Sequence, residues 1–141
     1  KKKIDNKIFV IMGDGECNEG SNWEALMTAS HFKLDNIVIF VDKNNFQQTG
    51  NCGEILNLHN LSEKLNSFNC FSTEINGHDH NEIFKAIDNN LNLNGPNVIV
   101  ANTIKGKGIN FFENKNEWHH SVLTKKSYEE ALESLNKNYE N

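Results

Sequence analysis

The sequence predicts an α/β domain: three layers, with a mainly parallel sheet and helices on both of its faces. Three apolar runs carry this prediction, namely Ile8–Met12 (IFVIM), Ile37–Val41 (IVIFV) and Val98–Ala101 (VIVA). Each is short, unbroken and rich in β-branched residues, the signature of a strand buried on both faces. The segments between them switch to helical spacing. Strands alternating with helices call for right-handed crossovers, and these give a parallel sheet.

The elements follow in order. The first strand, Ile8–Met12, runs directly into Gly13-Asp14-Gly15. Ser21-Asn22-Trp23-Glu24 has the Ser-x-x-Glu form of a capping box, and Trp23, Leu26, Met27 and Ser30 then follow i, i+3, i+4, i+7 spacing as one buried stripe. After the second strand comes a polar loop, Asn44–Asn57, carrying two glycines. Leu58, Leu61, Leu65 and Phe68 predict a short second helix, and Phe71–Ile75 is a weaker strand signal. Ile83, Phe84, Ile87 and Leu91 give a third helix ahead of the last strand. A second long loop, Thr103–Val122, contains Gly106 and Gly108; loops of this length in a compact domain are usually functional or disordered. Ser127-x-x-Glu130 caps a fourth helix whose apolar face is Tyr128, Ala131, Leu132, Leu135 and Tyr139. The principal motif follows the first clear strand, whereas a doubly wound domain has elements on both sides of its switch point. An upstream segment is therefore expected.

The 141 residues suffice for one domain with one buried core. Hydrophobic residues at 37% and charged residues at 23% are ordinary for a soluble protein. A net charge of −5 disfavours nucleic-acid binding through phosphate neutralisation, and the basic clusters Lys1–Lys3 and Lys105/Lys107 are too small for such a footprint. Cys17, Cys52 and Cys70 are an odd count without metal-ligand spacing, which points to free thiols in a reducing, cytoplasmic compartment. No apolar run approaches the roughly 20 residues needed to span a bilayer. The start, KKKIDNKIFVIM, reads as a strand and not as a signal peptide.

The chemistry lies in Gly13-Asp14-Gly15-Glu16-Cys17-Asn18-Glu19-Gly20, then a helix and a strand, then Asp42-Lys43-Asn44-Asn45. Asp14 stands at the carboxyl end of a parallel strand, where open α/β sheets bind ligands. The flanking glycines let the backbone approach a phosphate closely. The next strand brings Asn44 to the same edge. One carboxylate and one carboxamide oxygen are hard ligands for Mg2+ or Ca2+. Mg2+ takes few protein ligands together with water and phosphate oxygens, which matches so sparse a set. The cation would neutralise a diphosphate that an acidic protein would otherwise repel.

Gly-Asp-Gly followed at this distance by Asn-Asn resembles the thiamine-diphosphate fingerprint. The residues between sharpen the resemblance to transketolases: Glu19-Gly20, Glu24-Ala25, Ala29-x-His31-x-Lys33-Leu34-x-Asn36, Val41-Asp42-Lys43-Asn44 and Gly77-His78-Asp79. Ile104-Lys105-Gly106-Lys107-Gly108, then Glu113-Asn114 and Glu117-Trp118-His119-His120, is similar to split transketolases whose N-terminal half is a separate subunit. The resemblance runs from Ile8 to Leu135 and implies a partial thiamine-diphosphate-binding fold, with residues 1–141 as one partial diphosphate- and Mg-binding domain.

By this resemblance Asp14, Asn44 and the backbone carbonyl of Phe46 would hold the metal. Gly13, Gly15 (through its N–H) and Glu16 would lie along the cofactor diphosphate. Glu19 would sit at a subunit interface against the partner's cofactor-activating glutamate, and His119 would close over cofactor and substrate. The implied cofactors are thiamine diphosphate and Mg2+, with Ca2+ as an alternative. The implied reaction moves a two-carbon ketol unit between sugar phosphates. The implied partner is a C-terminal, pyrimidine-binding transketolase subunit, in a dimer or higher assembly, with no nucleic acid and no membrane. The histidines of the upstream third and the activating glutamate are absent, so the chain alone is expected to lack turnover. Two other readings stand beside this one: a deoxyxylulose-phosphate-synthase-like enzyme, separable by its donor, and a non-catalytic truncated subunit serving as a scaffold.

Two positions depart from the family's pattern. Thr49 replaces the usual Asp before Gly50, and Ser121-Val122-Leu123-Thr124 lacks the usual proline after the paired histidines. Other residues have plainer readings. Asn45 and His78 read as turn residues, His31 as a satisfied structural histidine, Lys105 and Lys107 as a solvated loop, Trp118 as loop packing and Cys17 as a small filler. His119 is preferred to His120 on the resemblance alone.

Overall fold

A computed structural model describes residues 6–90 and 93–139. In chain order the elements are β1 (Ile8–Gly13), a 3-10 turn (Asp14–Asn18), α1 (Gly20–His31), β2 (Ile37–Lys43), the hairpin strands β3 (Phe46–Gln47) and β4 (Gly50–Asn51), and α2 (Cys52–Ile55). Then follow α3 (Leu61–Ser67), β5 (Phe71–Asn76), α4 (His80–Asn90), β6 (Asn97–Asn102), a second 3-10 turn (Asn116–His119) and α5 (Lys125–Tyr139). The four longer strands form one sheet in the order β1-β2-β6-β5, and every pairing is parallel.

Side chains alternate across the pleat and so divide between two cores. Val38 of β2, Ile75 of β5, and Ile99 and Ala101 of β6 pack with Ala86 of α4, flanked by Phe40, Ile83 and Ile87. On the opposite face Val41, Val98 and Val100 pack with Leu26 of α1 and Leu61 and Leu65 of α3, flanked by Ile39, Trp23, Leu58 and Phe68. Helices therefore cover both faces, as expected. Burying each Val, Leu or Ile fully contributes about 1.5–3 kcal/mol before chain entropy is counted. Asn60 starts α3 by accepting the Glu63 N–H at 3.1 Å, and Leu58 and Phe68 extend the apolar stripe beyond both ends of that helix.

Several sequence expectations are corrected. Within the described residues β1 forms one edge of the sheet and is not covered on both faces, with Ile8, Phe9, Val10 and Ile11 50%, 53%, 40% and 78% exposed. A continuous apolar run encodes that a strand must be covered, not what covers it. Met27 and Phe84 lie outside the buried stripes of their helices, at 59% and 68% exposed, while Ala29 and Ala86 take inward positions. Ser21 does not cap α1, because the helix already begins at Gly20 after Glu19. At α5 the cap moves to Thr124, which exchanges hydrogen bonds with Ser127, each backbone N–H meeting the other's hydroxyl at 2.8 and 3.2 Å. Tyr128 and Leu132 are exposed, and Ala131 alone of the predicted face is buried among the described residues. Lys1–Lys3, Leu91 and the side chain of Tyr139 lie outside the described residues.

Candidate functional site

The register places Gly13 opposite Asp42, so the carboxyl ends of β1 and β2 lie side by side. Asp14 is the first residue past β1 and is 1% exposed. Its Oδ2 accepts the Asn45 N–H at 2.6 Å, and its Oδ1 accepts the Gly15 N–H at 2.9 Å and the Cys52 thiol at 3.5 Å. Asn45 has φ of +65°, a left-handed conformation that asparagine tolerates, and it returns its carbonyl to the Cys52 N–H at 2.9 Å. The carboxylate after β1 and the turn after β2 therefore meet.

Asn44 is fixed at both ends of its carboxamide. Its Nδ2 donates to Asp42 Oδ2 at 3.0 Å, and its Oδ1 accepts the Phe46 N–H at 2.9 Å. Asp42 in turn accepts a hydrogen bond from the Thr103 hydroxyl at Oδ1. Asp14 and Asn44 are thus joined through the turn backbone and share no direct side-chain hydrogen bond. Phe46 begins the hairpin, opposite Asn51.

Burial raises the Asp14 pKa; its three hydrogen bonds oppose that shift, and the nearby Asp42 carboxylate adds to it. The ion pairs among the described residues are Lys43–Glu74, Lys107–Glu113 and Lys126–Glu130, and none reaches Asp14 or Asp42. A buried carboxylate beside a second carboxylate, without a cation, is costly. A hard cation fits here: Asp14 supplies carboxylate oxygens, and Asn44 Oδ1 keeps a second lone pair. Among the described residues no three His, Cys, Asp or Glu side chains gather to hold a metal. The available donors therefore suit an ion that keeps most of its shell as water or phosphate oxygens. A cleft of about 270 Å3 opens on Asp14, with Lys43, Asn45, Asn51, Asn57 and His59 along its polar wall.

Gly15 is required by packing. A Cβ there would stand 2.6 Å from the Gln47 Cβ, where the 3-10 turn lies on the hairpin. The same contact is tied by Asn18 Nδ2 donating to Gln47 Oε1 at 3.3 Å. The Gly15 N–H, expected to meet the diphosphate, donates to Asp14 within the motif, and the Gly13 N–H donates to Glu16 Oε2 at 2.6 Å. Glu16 is exposed, as is Glu19, which precedes α1 and makes only backbone hydrogen bonds to the described residues.

His119 is exposed at the end of the second 3-10 turn, and Lys105 Nζ stands 3.1 Å from its Nδ1. Partial desolvation, then Lys105 and His120, hold its pKa below the ordinary histidine value. No hydrogen bond joins His119 to Asp14 or Asn44, but its segment rests on the hairpin, with the Asn116 carboxamide against the Gln47–Gly50 turn. Trp118 does pack the loop: it meets Phe111 and Phe112 at ring separations of 5.5 and 4.3 Å and donates to the Phe111 carbonyl at 3.0 Å. His78 is more than a turn residue, since its Nε2 accepts the Ile104 N–H at 2.8 Å. His31 is exposed against Phe32 rather than satisfied inside. Cys17, Cys52 and Cys70 are buried free thiols, and burial pushes them up to about 12, 11 and 11. Asp42 and Cys52 escaped the sequence reading as site residues. Asp42 carried a usable signal, because residues two apart on a strand share a face and 42 lies two before 44.

The sequence matches the family described as "Transketolase, thiamine diphosphate binding domain" over residues 1–140. It is 43% identical over 136 residues to one of the subunits of apulose-4-phosphate transketolase from Actinobacillus succinogenes, covering 96% of this chain and 49% of that protein. It is 38% identical over 135 residues to the 6-deoxy-6-sulfo-D-fructose transketolase subunit SqwG of Clostridium sp. (strain MSTE9), covering 95% and 49%. The chain thus spans about half the length of these curated relatives. The crystal structure of Campylobacter jejuni transketolase superposes with a TM-score of 0.87 at 32% identity, over 94% of this chain and 21% of that one. No helix among the described residues is long and apolar enough to cross a membrane.

Proposed function

This chain belongs to the transketolase thiamine-diphosphate-binding family, and on that premise we propose that it supplies the diphosphate-and-cation site of an enzyme moving a two-carbon ketol unit between sugar derivatives. The observation that carries the reading is Asp14: a buried carboxylate with no cationic partner among the described residues, held against the Asn44–Asn45 turn at the carboxyl edge of a parallel sheet. In the reading, Asp14, Asn44 Oδ1 and the Phe46 carbonyl hold Mg2+, or Ca2+ in its place, while the backbone of Gly13–Glu16 lies along the diphosphate. When bound, thiamine diphosphate supplies the nucleophilic carbon and the electron sink for ketol transfer. The chain's own part is to hold the anionic end of the cofactor, neutralise its charge through the cation and keep it in register with the sheet.

Glu19, exposed just ahead of α1 and free of side-chain partners among the described residues, is assigned to the contact with a pyrimidine-binding subunit. Two relatives named as transketolase subunits support such a partner. His119 is assigned to the substrate side of the cofactor, where its segment would close with the loop that begins at Thr103. The relatives' names specify an apulose phosphate and a sulfo-fructose, so the substrate class proposed is a ketose bearing an anionic group.

The test is calorimetric titration of thiamine diphosphate into the full-length protein in complex with its partner, at saturating Mg2+. Asp14→Ala is expected to weaken binding by at least about 100-fold, because it removes a direct ligand where loss of an outer partner already costs 10–100-fold. Unchanged affinity in that variant would remove the reading.

A further inference from the structure

The geometry points to Asp42 as the positioning residue that fixes which end of the Asn44 carboxamide faces the cation and ties that choice to the loop carrying His119. This inference rests on the cation-site reading of Asp14 and Asn44. A carboxamide is nearly symmetric in shape, yet only its oxygen can bind a cation. The shape of Asn44 gives it no preference; the Phe46 N–H, which can only donate, draws the oxygen from one end, and the other end must be met by an acceptor. Asp42 is that acceptor, since an ionised carboxylate only accepts hydrogen bonds and must be met by the Asn44 NH2 group. That bond is present, Nδ2 to Asp42 Oδ2 at 3.0 Å, and it leaves Oδ1 on the side of the Phe46 N–H, at 2.9 Å.

Asp42 is itself held. It lies in β2 between Gly13 of β1 and Ala101 of β6, and its second oxygen accepts from the Thr103 hydroxyl. The Thr103 N–H donates to the Lys43 carbonyl at 3.2 Å, so the first residue after β6 is clamped to the end of β2. The next residue, Ile104, is held by His78, and Lys105 stands 3.1 Å from His119. One carboxylate thus joins the ligand-bearing turn to the base of the loop expected to close over the substrate.

The experiment measures the Mg2+ concentration that gives half-maximal thiamine diphosphate binding, by calorimetry on the assembled full-length enzyme, alongside the melting temperature of each variant. Asp42→Ala is expected to raise that concentration by about tenfold or more, with binding restored at high Mg2+. A carboxylate at position 44 has no orientation to select, so in an Asn44→Asp background the same Asp42→Ala change should cost nothing; a merely structural role would cost in both backgrounds. A half-saturation within about twofold of the parent's in Asp42→Ala, beside an Asp14→Ala variant that does lose binding, overturns this inference and leaves the cation site standing. Unchanged binding in Asp14→Ala overturns both. If Asp42→Ala does not fold, Thr103→Val releases Asp42 while every residue at the cation stays in place, and the same criterion applies to it.

Discussion

Of the residues proposed for the site, Asp14 and His119 are the two whose surroundings shift their pKa. Asp14 is buried with no ion pair among the described residues, and His119 stands beside an ammonium group that discourages its protonation. For His119 the sign is simple. Its folded pKa lies below the ordinary value, so the ring is neutral at pH 7 and gains its proton only as pH falls below that value. Nuclear magnetic resonance of the histidine ring protons should place its midpoint below the ordinary histidine value. Lys105→Ala should move the midpoint back upward, in part only, because desolvation is the larger cause. An unmoved midpoint would show that the Lys105–His119 contact at 3.1 Å has no electrostatic weight. Asp14 and Asn44 were legible in the sequence because their spacing around one helix and one strand fixes both to a single sheet edge. Asp42 was only partly legible: its place two residues before Asn44 put it at the same edge, but its role appears only once its two hydrogen-bond donors, Asn44 and Thr103, are seen.

Among the elements, the short hairpin β3–β4 connects the site. It receives the 3-10 turn of the motif on one side and the Trp118–His119 turn on the other. Gly15 makes the first contact possible. Gly15→Ala is expected to destabilise the protein by about 1–3 kcal/mol through overpacking, read as a lower denaturation midpoint. Adding Gln47→Gly should return part of that loss, and no recovery would mean the clash lies elsewhere. Elements of this kind are poorly encoded locally. The loop from 44 to 57 reads as polar coil because two-residue strands show no alternation. Periodicity located α1, α3, α4 and α5, yet it misplaced Met27 and Phe84, since the width of a buried stripe depends on what lies across from it. The capping boxes at Ser21 and Ser127 failed for a similar reason. The preceding 3-10 turn and Thr124 set where those helices begin, and neither is visible in a four-residue pattern.

For the whole molecule, the sheet order β1-β2-β6-β5 explains why the site lies where it does. β1 and β2 are neighbours, so Asp14 and the Asn44–Asn45 turn emerge together; β6 follows beside β2, so Thr103 emerges next to Asp42. The first of these adjacencies followed from alternating strands and helices; the second, β6 beside β2, did not. The open side of β1 did not, because the apolar run there is indistinguishable from those of β2 and β6, which are covered. The central claim is that the ends of β1 and β2 share one hard cation. Its most direct measurement is a crystal structure of the assembled enzyme with Mn2+ and thiamine diphosphate, read from the anomalous signal of the metal. A single peak is expected, bonded to a carboxylate oxygen of Asp14 and to Oδ1 of Asn44 at roughly 2.0–2.2 Å from each, with the diphosphate completing the shell. A peak that leaves either side chain outside coordination distance would contradict that claim.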